Sequence, residues 1–178
     1  MKKILLASIL STMFFISSAE AKDGTNIGIA DIMKINKDAK VMISLNKQKD
    51  AKLASIQAEV GLKRKDFEKK EKELKSKQAL MDKEAFIKEI QAFQADVLKY
   101  DKSTEQKVNT IEKGYIEALK TIQKDYLDRI IKKVGKEKGF DLIINSQTAV
   151  AISDDLDITD DIISELNSEI KEIELKTK

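Results

Sequence analysis

The sequence contains no cysteine, histidine, proline or tryptophan among its 178 residues. Without cysteine, disulfide bonds cannot hold the fold, and thiolate and iron–sulfur chemistry are excluded. Without histidine, the chain lacks the most common general base and metal ligand. Without proline, long helices can continue uninterrupted. None of the six glycines lies in a G-x-x-x-x-G-K-[ST] phosphate-binding loop, so we expect a function that does not depend on ATP.

Acidic residues are concentrated at positions 154–161, and such a cluster raises the question of a calcium site. It lacks the central glycine and the bidentate glutamate of an EF-hand loop. Capping of a following helix explains these residues better. We therefore expect no metal site at these residues. Together with the lack of histidine, cysteine and a phosphate-binding loop, this leads us to expect no cofactor and no enzymatic activity.

The N-terminal stretch has the layout of a bacterial secretory signal peptide. Lys2 and Lys3 precede a mostly apolar run over residues 4–16, and Ala19-Glu20-Ala21 is a small-x-small cleavage site. The apolar run is shorter than the roughly 20 residues of a membrane span, so an uncleaved anchor is the weaker alternative. We predict a signal peptide over residues 1–21, cleavage after Ala21 and export of the remaining chain.

Residues 38–138 are rich in good helix formers and carry heptad-like apolar spacing. We predict an antiparallel helical hairpin of residues 38–80 and 83–138, with its tip near residues 78–83 and Asp82 as an N-cap. Gly61 and Gly114 lie inside these helices and are expected to be flexible points. Gly139 is placed to end the second helix. The seam of the second helix comprises Phe86, Ile90, Phe93, Val97, Tyr100, Thr104, Val108, Ile111, Tyr115, Leu119, Ile122, Tyr126, Ile130 and Val134.

The two ends of the chain have a different pattern. Residues 26–32 read as a strand, and residues 140–145 and 149–153 read as two strands of a hairpin. Thr159 is the predicted N-cap of a final helix, whose apolar face comprises Ile162, Leu166, Ile170 and Ile173. Residues 22–37 and 139–178 would then form a β-rich body, giving an α+β fold that is mostly α. Because such a body buries little apolar surface and leaves sheet edges open, we expect it to oligomerise.

Charge is unevenly distributed along the chain. Residues 62–83 carry nine basic and five acidic side chains, whereas residues 154–174 carry one basic and nine acidic ones. A basic arm tip can approach anionic lipid headgroups or lipopolysaccharide phosphates, and the export signal argues against nucleic acid. The alternative is a solvated helix face without a partner. The basic residues at the tip are Lys63, Arg64, Lys65, Lys69, Lys70, Lys72, Lys75 and Lys77.

A sparse apolar stripe runs along the second helix, beside the seam. Its positions stay within about 40° of one another at 100° per residue. It either broadens the seam or forms a weakly apolar wall of a cavity. The stripe comprises Ile87, Leu98, Ile116 and Leu127.

Several motifs near the two ends resemble those of the Skp/OmpH family of periplasmic chaperones. At the C-terminal end these are Asp141-Leu142-Ile143-Ile144, Ala149-Val150-Ala151 and Asp157-Ile158-Thr159-Asp160. At the N-terminal end, "IGIADIMKI" is similar to the family's first strand and turn, with Asp31 at the turn. The resemblance covers the whole chain after the signal peptide.

The resemblance implies a homotrimer in which the strands form a small barrel and three helical hairpins hang from it as arms. The arms would hold unfolded outer-membrane proteins without ATP and deliver them to the outer membrane. It also implies a lipopolysaccharide site near Lys113-Gly114-Tyr115. A coiled-coil spacer of the envelope and a lipid or lipopolysaccharide binder without clients are the alternatives. The predicted trimer body comprises Ile27, Ile29, Leu142, Ile143, Ile144, Val150 and Ile152.

Overall fold

The computed structural model describes residues 24–177, and the predicted signal peptide lies outside them. The chain is mostly helical with one small strand pair, which confirms the predicted fold class. In chain order the elements are β1 (Ile27–Ala30), α1 (Ile32–Asp38), α2 (Lys40–Lys77), α3 (Lys83–Thr121), a π-helical segment (Ile122–Leu127), α4 (Asp128–Glu137), β2 (Leu142–Asn145) and α5 (Thr159–Glu169).

Helices α2 and α3 form a long antiparallel hairpin, which we call the arm. The 38 residues of α2 span about 57 Å at 1.5 Å per residue. The Asp82 side chain accepts a 2.9 Å hydrogen bond from the Ala85 N–H, which confirms the predicted N-cap. Helical backbone angles continue through the π-helical segment into α4, so residues 83–137 form one uninterrupted helix.

The seam between the helices is thin. All fourteen predicted seam positions of the second helix are buried or half-buried. Nevertheless, Leu74 is the single fully buried side chain in the fully described stretch 46–110. The main apolar core lies instead at the base, where residues of α1, α4, α5 and the lower ends of α2 and α3 meet. Burial is therefore concentrated at the base of the arm, and Leu74 near the tip is an isolated exception within residues 46–110.

The second helix ends where the sequence predicts. Gly139 adopts a φ of 78°, a left-handed conformation that glycine reaches without a Cβ penalty. The Phe140 N–H donates to the Gly135 carbonyl and the Gly139 N–H donates to the Lys136 carbonyl. These two bonds form a Schellman motif, which turns the chain directly into β2.

Strands β1 and β2 pair in parallel, with Ile27 opposite Leu142 and Ile29 opposite Ile144. The expected hairpin between residues 140–145 and 149–153 is wrong, because residues 149–153 form no strand in the described chain. After β2, residues Ser146–Thr148 form a 3-10 turn in which the Asn145 carbonyl accepts a bond from the Thr148 hydroxyl. This turn leaves residues 149–153 without a neighbouring strand, and Val150 is fully exposed.

The C-terminal region instead joins β1 just beyond this loop. The Ile158 N–H donates to the Ile29 carbonyl at 2.9 Å. Thr159 is buried, and its hydroxyl accepts a 2.8 Å bond from the Asp31 N–H. The prediction that Thr159 caps α5 is therefore wrong, because its hydroxyl accepts a hydrogen bond from the turn after β1 and not from α5.

Ion pairs hold α5 against α4. Arg129 makes a bidentate pair with Glu169, Lys133 pairs with Glu165, and Lys138 pairs with Asp161. The bond from Arg129 lowers the pKa of the Glu169 carboxyl, and the same bond raises the pKa of Arg129. Part of the acidic C-terminal charge is thus neutralised within the chain.

The segment after α5 is an extended tail, residues 170–177. The predicted final helix therefore ends earlier than Ile173, which lies in the tail. The tail follows the base of the arm, and Leu175 is buried there with 2% of its surface exposed. A Cβ added to Gly114 would lie 2.0 Å from the Lys176 carbonyl oxygen. Gly114 is thus a point of close backbone approach, which corrects its prediction as a flexible hinge.

Gly61 is a matched control for the close backbone approach at Gly114. A Cβ at Gly61 meets no atom within 4 Å. We expect Gly61→Ala to stabilise the fold by up to about 1 kcal/mol through helix propensity alone. Gly114→Ala should instead displace the tail, because the added methyl group overlaps backbone.

Thermal denaturation and amide hydrogen exchange would measure both changes. Gly114→Ala should speed exchange of the Leu175 amide, whereas Gly61→Ala should leave it unchanged. Equal exchange at Leu175 in the two variants would contradict the close approach at Gly114.

Candidate functional site

The basic tip of the arm contains both paired and unpaired cations. Lys70 pairs with Asp96 at 3.1 Å, Lys75 with Glu71 at 2.6 Å and Lys77 with Glu89 at 3.5 Å. The Lys75 bond lowers the pKa of the Glu71 carboxyl. Four of the predicted tip cations have no ion-pair partner among residues 24–177 and are exposed: Arg64, Lys65, Lys69 and Lys72.

An aromatic cluster lies in the seam below this tip. The Phe67 ring makes edge contacts with the Phe93 and Tyr100 rings, both at 5.8 Å between centroids. The Lys63 ammonium group lies 4.9 Å from the Phe67 centroid. Lys63 therefore contributes a cation–π contact to the seam rather than a fully free charge. This contact explains how the sequence accommodates lysine at a seam position.

Three residues of the predicted apolar stripe are exposed on the arm. Ile87 is 44% exposed, Leu98 is 70% exposed and Ile116 is 48% exposed. Leu127 does not belong with them, because it is only 6% exposed and packs into the core at the base. The reason is the π-helical segment Ile122–Leu127, whose i→i+5 bonding changes the angular position of the residues within it and after it. The extrapolation at 100° per residue fails at this point.

The predicted body residues differ in their exposure and in the direction of their side chains. Because parallel neighbours share a face, Ile27 and Leu142 lie side by side, and they are 38% and 48% exposed. Ile143 points the other way, since its Cδ1 lies 2.3 Å from where a Cβ at Gly135 would be. Ile143 thus packs on α4 of its own chain. Of the remaining predicted residues, Ile29 is buried, Ile144 is half-buried, and Val150 and Ile152 are exposed.

The region expected to hold lipopolysaccharide is occupied by contacts within the chain. Gly114 faces the tail, as described above. The Tyr115 hydroxyl donates a 2.6 Å bond to the Asn46 side chain, and Lys49 lies 4.3 Å from the centroid of the Tyr115 ring. Lys113 is exposed, so a single cation remains available there. This arrangement does not resemble a cluster of phosphate-binding cations.

No helix within residues 24–177 is long and apolar enough to cross a membrane. Within the same range, no three acidic side chains are grouped so that they could hold a metal ion.

Comparison with known proteins identifies the family. The sequence profile of the family described as "Outer membrane protein (OmpH-like)" matches residues 26–166. The chain therefore belongs to the OmpH-like family. Among proteins of curated function, none matches the sequence.

One solved structure shares the fold over most of both chains. It is the crystal structure of an OmpH-like protein from Caulobacter crescentus CB15, whose assignment as an outer membrane chaperone is itself provisional. The TM-score is 0.80 at 15% identity, over 87% of this chain and 91% of that one. At this identity, the likeness concerns the fold alone.

Two residues that hold the tail, Gln48 and Leu175, are not predicted from the sequence. The family match ends at residue 166, so the tail lies beyond it. A usable signal was present, because Ile173 and Leu175 alternate with charged residues as in a half-buried strand. Gln48 gives no signal of its own, since a glutamine on a charged helix is normally solvated.

Leu127 and Leu98 form a matched pair for testing the placement of the stripe. Leu127→Ala should lower the free energy of unfolding by about 2–5 kcal/mol, because it opens a cavity in the core. Leu98→Ala should change it by less than about 0.5 kcal/mol, because Leu98 is mostly exposed. Urea denaturation followed by circular dichroism would measure both. Similar losses in the two variants would refute the different burial of these leucines.

Proposed function

We propose that this protein is an ATP-independent holdase that binds unfolded outer-membrane proteins along its arms and keeps them soluble in the periplasm. Members of the OmpH family are periplasmic, and family and fold together support a chaperone-type role. The observation that carries the proposal is the arm itself. It is a long helical hairpin with little internal burial, exposed apolar side chains on both helices and unpaired cations at its end.

These features suit a protein that must bind without folding around its client. Isolated exposed residues such as Leu98 offer weak apolar contacts, so many different unfolded chains can be held and released. A stable partner would require a larger continuous apolar patch. The simplest test is to dilute an unfolded β-barrel protein into the purified chain without ATP. Suppressed aggregation supports the holdase, and unsuppressed aggregation would refute it.

We further propose that three copies assemble through the strand-bearing body, with the arms enclosing a cavity. The exposed pair Ile27 and Leu142 on one face of a two-stranded sheet supports this assembly, because such a small sheet is marginal alone. The exposed segment around Val150 is available to pair with a strand of a neighbouring copy. Oligomerisation would then cover the open edge of the sheet.

Leu142→Asp tests the assembly. The change places a carboxylate on the exposed face, so the single chain should keep its helix content while the trimer dissociates. Native mass spectrometry and circular dichroism would measure these two properties. Leu80→Asp is the matched control, because Leu80 is 85% exposed at the far end of the arm. An intact trimer in Leu142→Asp would remove this face from the interface. Ile143→Asp is a poorer probe, since Ile143 also packs on α4.

The unpaired tip cations have a separate proposed role, which is to attract clients before they are held. Charge complementarity mainly raises the association rate. Replacing Arg64, Lys65, Lys69 and Lys72 with glutamine should slow capture of an acidic client at low salt by about tenfold or less, with trimer and helix content unchanged. Stopped-flow fluorescence of a labelled client would measure the rate.

A control with the same loss of charge separates position from total charge. Lys47, Lys88, Lys99 and Lys102 are exposed and have no ion-pair partner among the described residues. Their replacement with glutamine should slow capture less than the change at the tip. Equal rates in the two variants would show that the tip is only a solvated face. Strong binding of the wild type to anionic vesicles without any client-holding activity would favour a lipid binder instead.

A further inference from the structure

The tail, residues 170–177, lies on the arm outside any helix or strand, and its burial alternates from Ile173 onward. Ile173 is half-buried and Leu175 is buried, whereas the side chains of Glu174 and Lys176 are exposed. From Ile173 onward, buried and exposed residues therefore alternate, as in a strand with one buried face. The alternation of apolar and charged residues in the sequence thus matches the alternation of buried and exposed side chains in the tail.

Gln48 holds the backbone of this segment. Its side-chain amide donates a 2.9 Å bond to the Ile173 carbonyl and accepts a 2.9 Å bond from the Leu175 N–H. A single residue of an adjacent parallel strand would make the same two bonds to alternate residues, through its own N–H and C=O groups. Because both bonds go to backbone atoms, they do not depend on the side chains of the bound segment.

We call the surface of α2 and α3 that contacts the tail, around Gln48 and Gly114, the groove. Other parts of this groove also fit an extended chain. Gly114 lets the backbone approach α3, since any Cβ there would overlap the Lys176 carbonyl. A cavity of about 610 Å³ beside the tail is lined by residues of α3, including Ala118 and Thr121. The groove continues past Thr177 into a second cavity of about 570 Å³, which reaches Ile56 and Ile111 of the seam. The groove is therefore longer than the part that the tail occupies.

We propose that this groove is a binding site for extended client segments that alternate apolar and polar residues, and that the tail is its resident occupant, displaced by such segments. The inference rests on the proposed holdase function. It adds to that function a defined site, centred on Gln48, Gly114 and the pocket of Leu175. The tail acts as an internal competitor, which limits occupation of the site to clients present at sufficient concentration.

The class of client follows from the chemistry of the groove. Strands of outer-membrane β-barrels consist of roughly ten residues that alternate lipid-facing apolar and lumen-facing polar side chains. Such a strand can supply an apolar residue to the Leu175 pocket and backbone groups to Gln48. A helical segment cannot, because its backbone groups are already bonded within the helix.

Hydrogen exchange on the full chain tests the displacement. An unfolded eight-stranded outer-membrane protein is diluted from urea into the protein, and the same sample is assayed for soluble client. We expect the Leu175 amide to exchange at least about tenfold faster with client bound, while the amides of α5 keep their rates. A client held in solution with Leu175 still protected would overturn this inference and leave the holdase function standing. A client that aggregates would refute both.

Gln48→Leu and Gln57→Leu provide the matched comparison. Gln57 is exposed on the same helix, so its replacement makes the same chemical change away from the groove. The probe is a fluorescent synthetic peptide with the sequence of residues 170–177, added to chains carrying Leu175→Asp to release the resident tail. The peptide should bind this background, lose at least about tenfold in affinity with Gln48→Leu and be unaffected by Gln57→Leu. Equal binding of a peptide of the same composition with its apolar residues adjacent would also contradict the proposal.

Discussion

The parallel pairing of β1 with β2 closes the chain on itself, and the other elements depend on that closure. It joins Ile27 to Leu142, so the whole helical arm is inserted between two paired strands. Ile158 then bonds to Ile29, and the Lys40 N–H donates to the Asn167 side chain at the start of α2. The two strands, the segment around Ile158 and the start of α2 thus meet at the base of the arm. Because this base contains most of the buried side chains, the arm can extend from it with a thin seam.

That division of burial has functional consequences. A helical hairpin with little internal burial is stabilised mainly at its base, and its outer part is free to adapt to different partners. Exposed apolar residues and unpaired cations are tolerated there, because they do not have to pack against the rest of the chain. The arm is stabilised by its base, and the surface of its outer part remains exposed to other molecules. This arrangement suits a chaperone that binds clients without a fixed geometry.

Local patterns in the sequence were sufficient to predict the arm. Heptad spacing identified the seam, Asp82 marked the start of α3, and Gly139 marked the end of the second helix. These features depend on neighbouring residues, so they are visible without tertiary structure. The fold class followed from the same reasoning, together with strand patterns at the two ends. The motifs around Asp141 and Asp157 pointed to the OmpH-like family.

The errors occurred where contacts between distant residues decide the outcome. Leu127 turns into the core because one helical segment has π rather than α geometry, which spacing alone does not reveal. Thr159 bonds to the turn after β1, far away in sequence, instead of capping its own helix. Gly114 was interpreted from helix propensity, but the approach of the tail determines its role. A strand at residues 149–153 needs a neighbour that the described chain does not supply.

Residue-resolved hydrogen exchange of the native protein tests the central claim most directly, namely that stability is concentrated at the closed base and declines along the arm. The account predicts that amides of Leu45, Ile130 and Ile162 exchange only through global unfolding. Amides between residues 60 and 100 should exchange at least about 100-fold faster, through local opening of the arm. Equal protection from base to tip would contradict the account, because it would require a cooperative core along the arm that the thin seam cannot provide.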